Sequence, residues 1–188
     1  DPSADYNYAI RKASQNGHAN VVIILLADSR IDPSDKGNYA IKLASMYGHA
    51  EVVKILLTDS RVDPSVNSNV PIRLASRNGH ANVVKILLDD SRVDPSVNGN
   101  VSIRCAVMNG HANVVKILLD DSRVDPNAID YDTIRCASEF GFVEVVKILL
   151  DDSRVKTQAN TDAQFVFLNG NDEEINTLSG SEDGCGKK

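Results

Sequence analysis

Apolar residues along this chain recur at the three- and four-residue spacing of helices that bury one side. In one stretch, Ile72 and Ala75 are followed by Val83, Val84 and Leu87. Positions three and four apart lie on the same side of a helix, so each group predicts one short helix with a buried side. Helices this short are marginal in water by themselves. The pattern therefore predicts an all-α fold in which neighbouring helices cover one another.

The same pattern returns every 31 residues, which indicates a repeat protein. One position of each unit is proline: Pro2, Pro33, Pro64, Pro95 and Pro126. Another is glycine: Gly17, Gly48, Gly79, Gly110 and Gly141. The predicted units cover residues 1–31, 32–62, 63–93, 94–124 and 125–155.

Each unit is predicted to run as helix, turn, helix and extended loop. Gly79 suits the left-handed backbone that ends a first helix, and Asp94-Pro95 stops the chain after a second helix. Because one pair of short helices cannot bury its own apolar side, the units are predicted to stack as a solenoid with nearest-neighbour stability.

The sequence of the unit resembles the ankyrin repeat over residues 1 to about 155. Residues 70–76 read VPIRLAS and residues 79–88 read GHANVVKILL. They correspond to the family's Thr-Pro-Leu-His-x-Ala-Ala segment and to Gly-His-x-Glu-Val-Val-Lys-Leu-Leu-Leu. The resemblance implies a stack of helix-turn-helix units that binds other proteins.

Two features depart from the family pattern. The period is 31 where about 33 is usual, so the inter-repeat loops are expected to be shorter or more irregular. The histidine of the family's first helix is replaced by a basic residue in every unit: Arg11, Lys42, Arg73, Arg104 and Arg135. This basic column could attract an acidic peptide, or the aspartates of the Asp-Pro motifs could neutralise it.

The two ends of the array differ from its middle. Residues 156–178 are predicted to form a degenerate sixth repeat whose polar side caps the stack, and residues 179–188 a disordered tail. The first unit has no polar cap, so part of its surface is expected to be bare and the array to continue upstream of Asp1.

Composition narrows the function. The net charge of −6 and the pI near 5.1 argue against nucleic acid as a partner. Three cysteines are too few for a disulfide-rich secreted domain, which favours an intracellular, cytoplasmic protein. The longest apolar run is far short of the roughly 20 residues that span a bilayer, so no membrane segment is expected.

Recurring polar residues are interpreted as structural. His18, His49, His80 and His111 form a column, but helices about 8–10 Å apart cannot bring them to one metal ion. Pairs such as Asp90 and Arg92 occur in every unit, so they are expected to tie the loop between repeats. The sequence predicts no catalytic residue, no metal, no cofactor and no small-molecule substrate. It therefore predicts that the protein is not an enzyme.

Positions that vary between units are the candidate contacts with a protein partner. In ankyrin repeats, the pair before the turn glycine faces the concave groove. Here these positions are Gln15, Asn16, Met46, Tyr47, Arg77, Asn78, Met108, Asn109 and Glu139, and the loops add Tyr6 and Lys36. Neutral surface variation would give the same pattern. The predicted function is a protein-binding module or scaffold; the alternative is the substrate-recruiting domain of a larger enzyme or ubiquitin-ligase adaptor.

Overall fold

The computed structural model describes residues 1–155 of the 188-residue chain. This part contains ten α-helices, one short 3-10 helix and no β-strand. The helices are α1 (Ala4–Gln15), α2 (Ala19–Leu26), α3 (Asp35–Met46), α4 (Ala50–Leu57), α5 (Val66–Arg77), α6 (Ala81–Leu88), α7 (Val97–Met108), α8 (Ala112–Leu119), α9 (Tyr131–Glu139) and α10 (Val143–Asp151). The predicted all-α repeat fold is confirmed. The predicted cap at 156–178 and tail at 179–188 lie outside the described residues.

The helices form two layers. The first helices α1, α3, α5, α7 and α9 pack against one another in chain order, and the second helices α2, α4, α6, α8 and α10 form the other layer. Each first helix also packs on the second helix that follows it. No helix in residues 1–155 has the length and apolar character needed to cross a bilayer.

The core runs between the two layers as columns of equivalent side chains. Ile72 of α5 and Leu87 of α6 are both 0% exposed. Their counterparts in the neighbouring repeats are also buried: Ile41, Ile103, Leu56 and Leu118. Every repeat therefore completes the core of the repeat beside it, which is why the helices can be short.

The inter-repeat loops are irregular, as the short period predicts. In the second repeat Lys36, Gly37 and Asn38 have φ of 52°, 65° and 60°, so α3 opens with a left-handed turn before its regular helix. The buried Asn38 tolerates this backbone and its Oδ1 accepts a hydrogen bond from the Asp63 backbone N–H at 2.7 Å. The same bond joins Asn7 to Asp32, Asn69 to Asp94 and Asn100 to Asp125.

The turn between the two helices depends on glycine for two reasons. Gly79 has φ of 77°, and a Cβ there would lie 2.6 Å from Nδ1 of His111 in the next repeat. The His111 Nε2 bonds the Arg77 carbonyl at 2.9 Å. Corresponding bonds join His49 to Gln15 (2.8 Å) and His80 to Met46 (2.9 Å). The predicted structural role is confirmed for His49, His80 and His111.

The recurring Asp and Arg pairs tie successive loops together, also as predicted. Arg92 donates to Asp90 through its backbone N–H, Nε and Nη2 at 3.0, 2.9 and 2.6 Å. Its Nη1 reaches back to the Val62 carbonyl at 2.8 Å. Hydrogen bonds from the Arg92 side chain hold the pKa of Asp90 below its usual value.

The fifth repeat begins differently. A 3-10 helix at Pro126–Ala128 replaces the left-handed turn, and Asp130 caps α9 by accepting from the Thr133 backbone N–H at 2.8 Å and its hydroxyl at 2.5 Å. The Thr133 hydroxyl is the main reason that the pKa of Asp130 is lowered. Phe142 stands where earlier repeats have histidine, and its ring lies over Gly110.

Candidate functional site

The exposed sides of the first helices carry a basic residue at the same position in every repeat. We call this surface the first-helix face. It has three positions per repeat, spaced three and four residues apart, so that they lie on the same side of the helix. They are Tyr8, Arg11 and Gln15 in α1; Tyr39, Lys42 and Met46 in α3; Val70, Arg73 and Arg77 in α5; Val101, Arg104 and Met108 in α7; and Asp132, Arg135 and Glu139 in α9.

Large apolar side chains are exposed at the end of this face next to the turn glycines. Met46, Tyr47 and Met108 are 39%, 45% and 45% exposed. The Gln15 side-chain amide donates to the Tyr47 hydroxyl at 3.4 Å, which brings the ends of α1 and α3 together. Gln15, Met46 and Tyr47 therefore adjoin one another, and Met108 occupies the position of Met46 two repeats further along.

Other predicted site residues have structural partners. The side-chain amides of Asn78 and Asn109 donate to carbonyls of their own helices, those of Leu74 and Cys105, at 2.8 and 2.7 Å. Glu139 accepts from Arg135 at 2.6 Å. These three side chains stabilise helix ends or salt bridges, so they are weaker candidates for binding.

The remaining predicted site residues are distributed between the turns and the loops. Asn16 is exposed beside Gln15, Arg77 is exposed at the end of α5, and Lys36 is exposed in the left-handed turn of α3. Tyr6 lies within α1, and its side chain is outside the described part of the structure.

The basic column forms the middle of the first-helix face. The Arg11 Nη2 donates to the Asp5 carbonyl at 2.7 Å, and its guanidinium lies 5.7 Å from the Tyr8 ring centroid. The Lys42 ammonium lies 5.3 Å from the Tyr39 ring centroid. The cations thus pack on aromatic rings and loop backbone in the first two repeats.

The Asp-Pro aspartates do not neutralise this column. Asp32 accepts instead from the backbone N–H and hydroxyl of Ser34 at 2.9 and 2.6 Å, and Asp63 and Asp94 bind Ser65 and Ser96 in the same way. Within residues 1–155, Lys42, Arg73 and Arg104 form no ion pair. The suggestion that these aspartates balance the column is wrong, because their carboxylates already cap the loops.

A family model for ankyrin repeats (3 copies) matches residues 1–70 and 72–164. The chain belongs to the ankyrin-repeat family. Ankyrin repeats are generally protein-interaction modules, typically without catalytic activity. A search of curated proteins found no match.

The described part of this ankyrin stack offers little for chemistry. Residues 1–155 contain no group of three or more His, Cys, Asp or Glu side chains that could hold a metal ion. Burial raises the pKa of the Cys105 thiol, which disfavours the reactive thiolate. The Asp and Arg pairs that tie the loops have shifted pKa values and recur in every repeat, and Arg135 of α9, whose pKa is raised by Glu139, is a further shifted group.

Two exposed features were not singled out from the sequence. Tyr8 and Tyr39 are 49% and 41% exposed on the first-helix face. The sequence showed their spacing from Arg11 and Lys42, but not that their side chains are exposed. The second helix of repeat one exposes Val21, Ile23 and Ile24, the last at 71%. Ile23 stands where the later repeats have lysine: Lys54, Lys85, Lys116 and Lys147. The expectation of a partly bare first unit is confirmed.

Proposed function

We propose that this ankyrin stack binds a partner protein through the first-helix face and the adjoining loops. The observation that carries the proposal is the exposure of Met46, Tyr47 and Met108 along one edge of that face. Apolar and aromatic side chains of this kind supply the anchors of protein interfaces. In ankyrin repeats, the corresponding positions face the concave groove.

The contrast between constant and variable positions supports the same surface. The turn glycine and the histidine or phenylalanine after it are tied into the stack, as Gly79 and His111 show. The two positions before that glycine carry a different pair of side chains in almost every repeat. Because the first residue of the pair contributes its backbone carbonyl to the stack, as Gln15, Met46 and Arg77 do, its side chain can change without disturbing that bond. An intracellular, cytoplasmic location remains part of the proposal.

Affinity capture with matched variants tests this proposal. The native chain is compared with a variant that carries Tyr47→Ala, Arg77→Ala and Met108→Ala, one change in each of repeats two, three and four. The control carries Thr58→Ala, Lys85→Ala and Asn113→Ala, which are exposed outside the first helices of the same repeats and alter the net charge equally.

Captured proteins are identified by mass spectrometry, and circular dichroism confirms that all three chains are folded. A protein retained by the native chain and the control but lost from the first variant supports the first-helix face. Retention of the same proteins by all three chains contradicts the proposal and assigns the contact to the second helices or to the rest of the chain.

A further inference from the structure

Charge differs between the first helices and the rest of the stack, where most carboxylates lie in the loops. The first four first helices carry seven cations and two carboxylates. The cations are Arg11, Lys12, Lys36, Lys42, Arg73, Arg77 and Arg104. Outside the first helices, residues 1–155 carry nine cations and sixteen carboxylates. A basic surface therefore lies on one side of a chain whose net charge is −6.

The cations at the centre of this surface form no internal ion pair. Lys42, Arg73 and Arg104 occupy the same position in consecutive repeats and are only half-buried. None of the three forms an ion pair within the described residues. The Arg104 Nε is buried without a hydrogen-bond partner there. The Arg104 charge contributes to lowering the pKa of Asp130, but no carboxylate of the described residues lies within ion-pair distance of the three cations, so an incoming carboxylate could pair with them.

The column ends at the fifth repeat. Arg135 pairs with Glu139 at 2.6 Å and with Asp132 at 3.6 Å, and both acids replace neutral or basic residues of earlier repeats. The basic surface thus covers repeats one to four, and an acidic pair limits it at α9.

We propose that the first-helix face binds an extended acidic segment of a partner protein, with one carboxylate per ankyrin repeat. Packed helices lie about 8–10 Å apart. A polyproline II segment rises about 3.1 Å per residue and returns to the same side every three residues, or about 9.3 Å. Acidic side chains at every third position would therefore meet Lys42, Arg73 and Arg104 in turn. This inference specifies the partner of the proposed function and rests on it.

Two synthetic 13-residue peptides of identical composition test the spacing. One carries four glutamates at every third position, and the other carries them consecutively; both contain proline, alanine and leucine otherwise. Fluorescence anisotropy measures their binding to the full chain. We expect the spaced peptide to bind at least about fivefold more tightly, with affinity falling as salt rises. Equal affinities would overturn the one-carboxylate-per-repeat arrangement.

Substitution of the column tests the site. The variant Lys42→Gln, Arg73→Gln, Arg104→Gln is compared with Lys54→Gln, Lys85→Gln, Lys116→Gln, which removes the same number of cations from the second helices of the same repeats. Exposed ion pairs contribute about 1.5- to 5-fold each, so the first variant should lose about 3- to 100-fold in affinity. The second should change less than twofold. Equal losses in both variants would overturn the site.

A change in the spaced peptide tests the site even if the Lys42→Gln, Arg73→Gln, Arg104→Gln variant folds poorly. Replacing the four glutamates of the spaced peptide by glutamine should cause a comparable loss of binding to the unaltered chain. Unchanged binding of this neutral peptide would show that the face does not select acidic segments. If neutral peptides bind and binding is lost with Tyr47→Ala and Met108→Ala, the acidic preference is wrong while the proposed function stands.

The same assay tests two other possible occupants of the first-helix face. A 20-nucleotide single-stranded RNA that binds as tightly as the spaced peptide, with the same loss in the column variant, would overturn the choice of a protein partner. The chain's own Asp172, Glu173 and Glu174 are the other alternative. If neutralising these three raises the peptide's affinity tenfold or more, the face belongs to the chain's own acidic segment and the assignment to a partner is wrong.

Discussion

Leu87→Ala should destabilise the stack by about 2–5 kcal/mol. Leu87 is 0% exposed in α6, and the equivalent leucines of the repeats on either side, Leu56 and Leu118, are buried as completely. The change removes three carbon atoms, worth about 2.4 kcal/mol at roughly 0.8 kcal/mol for each buried methylene. The cavity that remains accounts for the upper part of the range, because neighbours tied in both directions cannot collapse into it.

The matched control is Leu25→Ala at the same position of repeat one. Leu25 is only half-buried, since no repeat within residues 1–155 precedes it. We expect about half the loss found for Leu87→Ala, or about 1–2.5 kcal/mol on the same scale.

Urea unfolding followed by circular dichroism measures both changes, and the slope of the transition shows whether the unfolding reaction stays the same. Thermal unfolding should show a midpoint lower by about 5–20 °C for Leu87→Ala. A loss below about 1 kcal/mol at unchanged slope would refute the argument that core columns between repeats hold the fold. An equal loss for Leu25→Ala would refute the role of the neighbouring repeat.

Three further predictions concern the turns, a buried hydroxyl and pH. Gly141→Ala should cost roughly 1–2 kcal/mol of stability, because alanine is strained in left-handed backbone. Gly79→Ala should cost clearly more, because a Cβ at Gly79 would lie 2.6 Å from the His111 ring of the next repeat, while one at Gly141 meets nothing within 4 Å. Chemical unfolding of both variants measures the difference. Ser76→Ala should leave stability unchanged or raise it by up to about 1 kcal/mol in the same assay, since its buried hydroxyl has no partner in the described structure. Hydrogen bonds from Arg92 lower the pKa of Asp90 in the folded protein. The Asp90 carboxylate therefore stabilises the fold above its unfolded pKa of about 4, and this contribution is lost as pH falls through the folded pKa. Asp90→Asn should make the unfolding midpoint fall less steeply below pH 4.

Contrary results would each identify a specific error. Equal costs for the two glycine variants would show that the histidine ring moves aside freely. A loss above about 1 kcal/mol for Ser76→Ala would mean that the hydroxyl makes a bond in solution. An unaltered acid transition in Asp90→Asn would show that this loop tie contributes nothing to the pH dependence.

Local spacing in the sequence was sufficient to predict much of this fold. The 31-residue period, the helical spacing of Ile72 and Ala75, and the glycine at position 79 predicted the helix pairs, their turn and their stacking. The helices and the turn follow from short-range spacing within one repeat, and the 31-residue period presents the same signal five times. The repetition of Asp90 and Arg92 likewise predicted a structural role.

The candidate site needed the tertiary structure. The sequence placed Asn78 and Met108 in one class of variable residue, but the Asn78 amide binds its own helix while Met108 stays exposed. It also offered the Asp-Pro aspartates as partners for the basic column, whereas Asp63 is committed to Ser65. Which of several polar groups a side chain binds depends on distances between atoms that only the folded loops establish.

The sequence by itself therefore determined the repeat, its helices and its family, because these follow from periodic local patterns. Only the tertiary structure decided which variable side chains remain available and which cations form no ion pair. It also revealed the Asn38 bond to Asp63, which joins residues 25 positions apart. Contacts of that kind form only when one repeat is stacked on the next, and the same stacking gathers Lys42, Arg73 and Arg104 into a single surface.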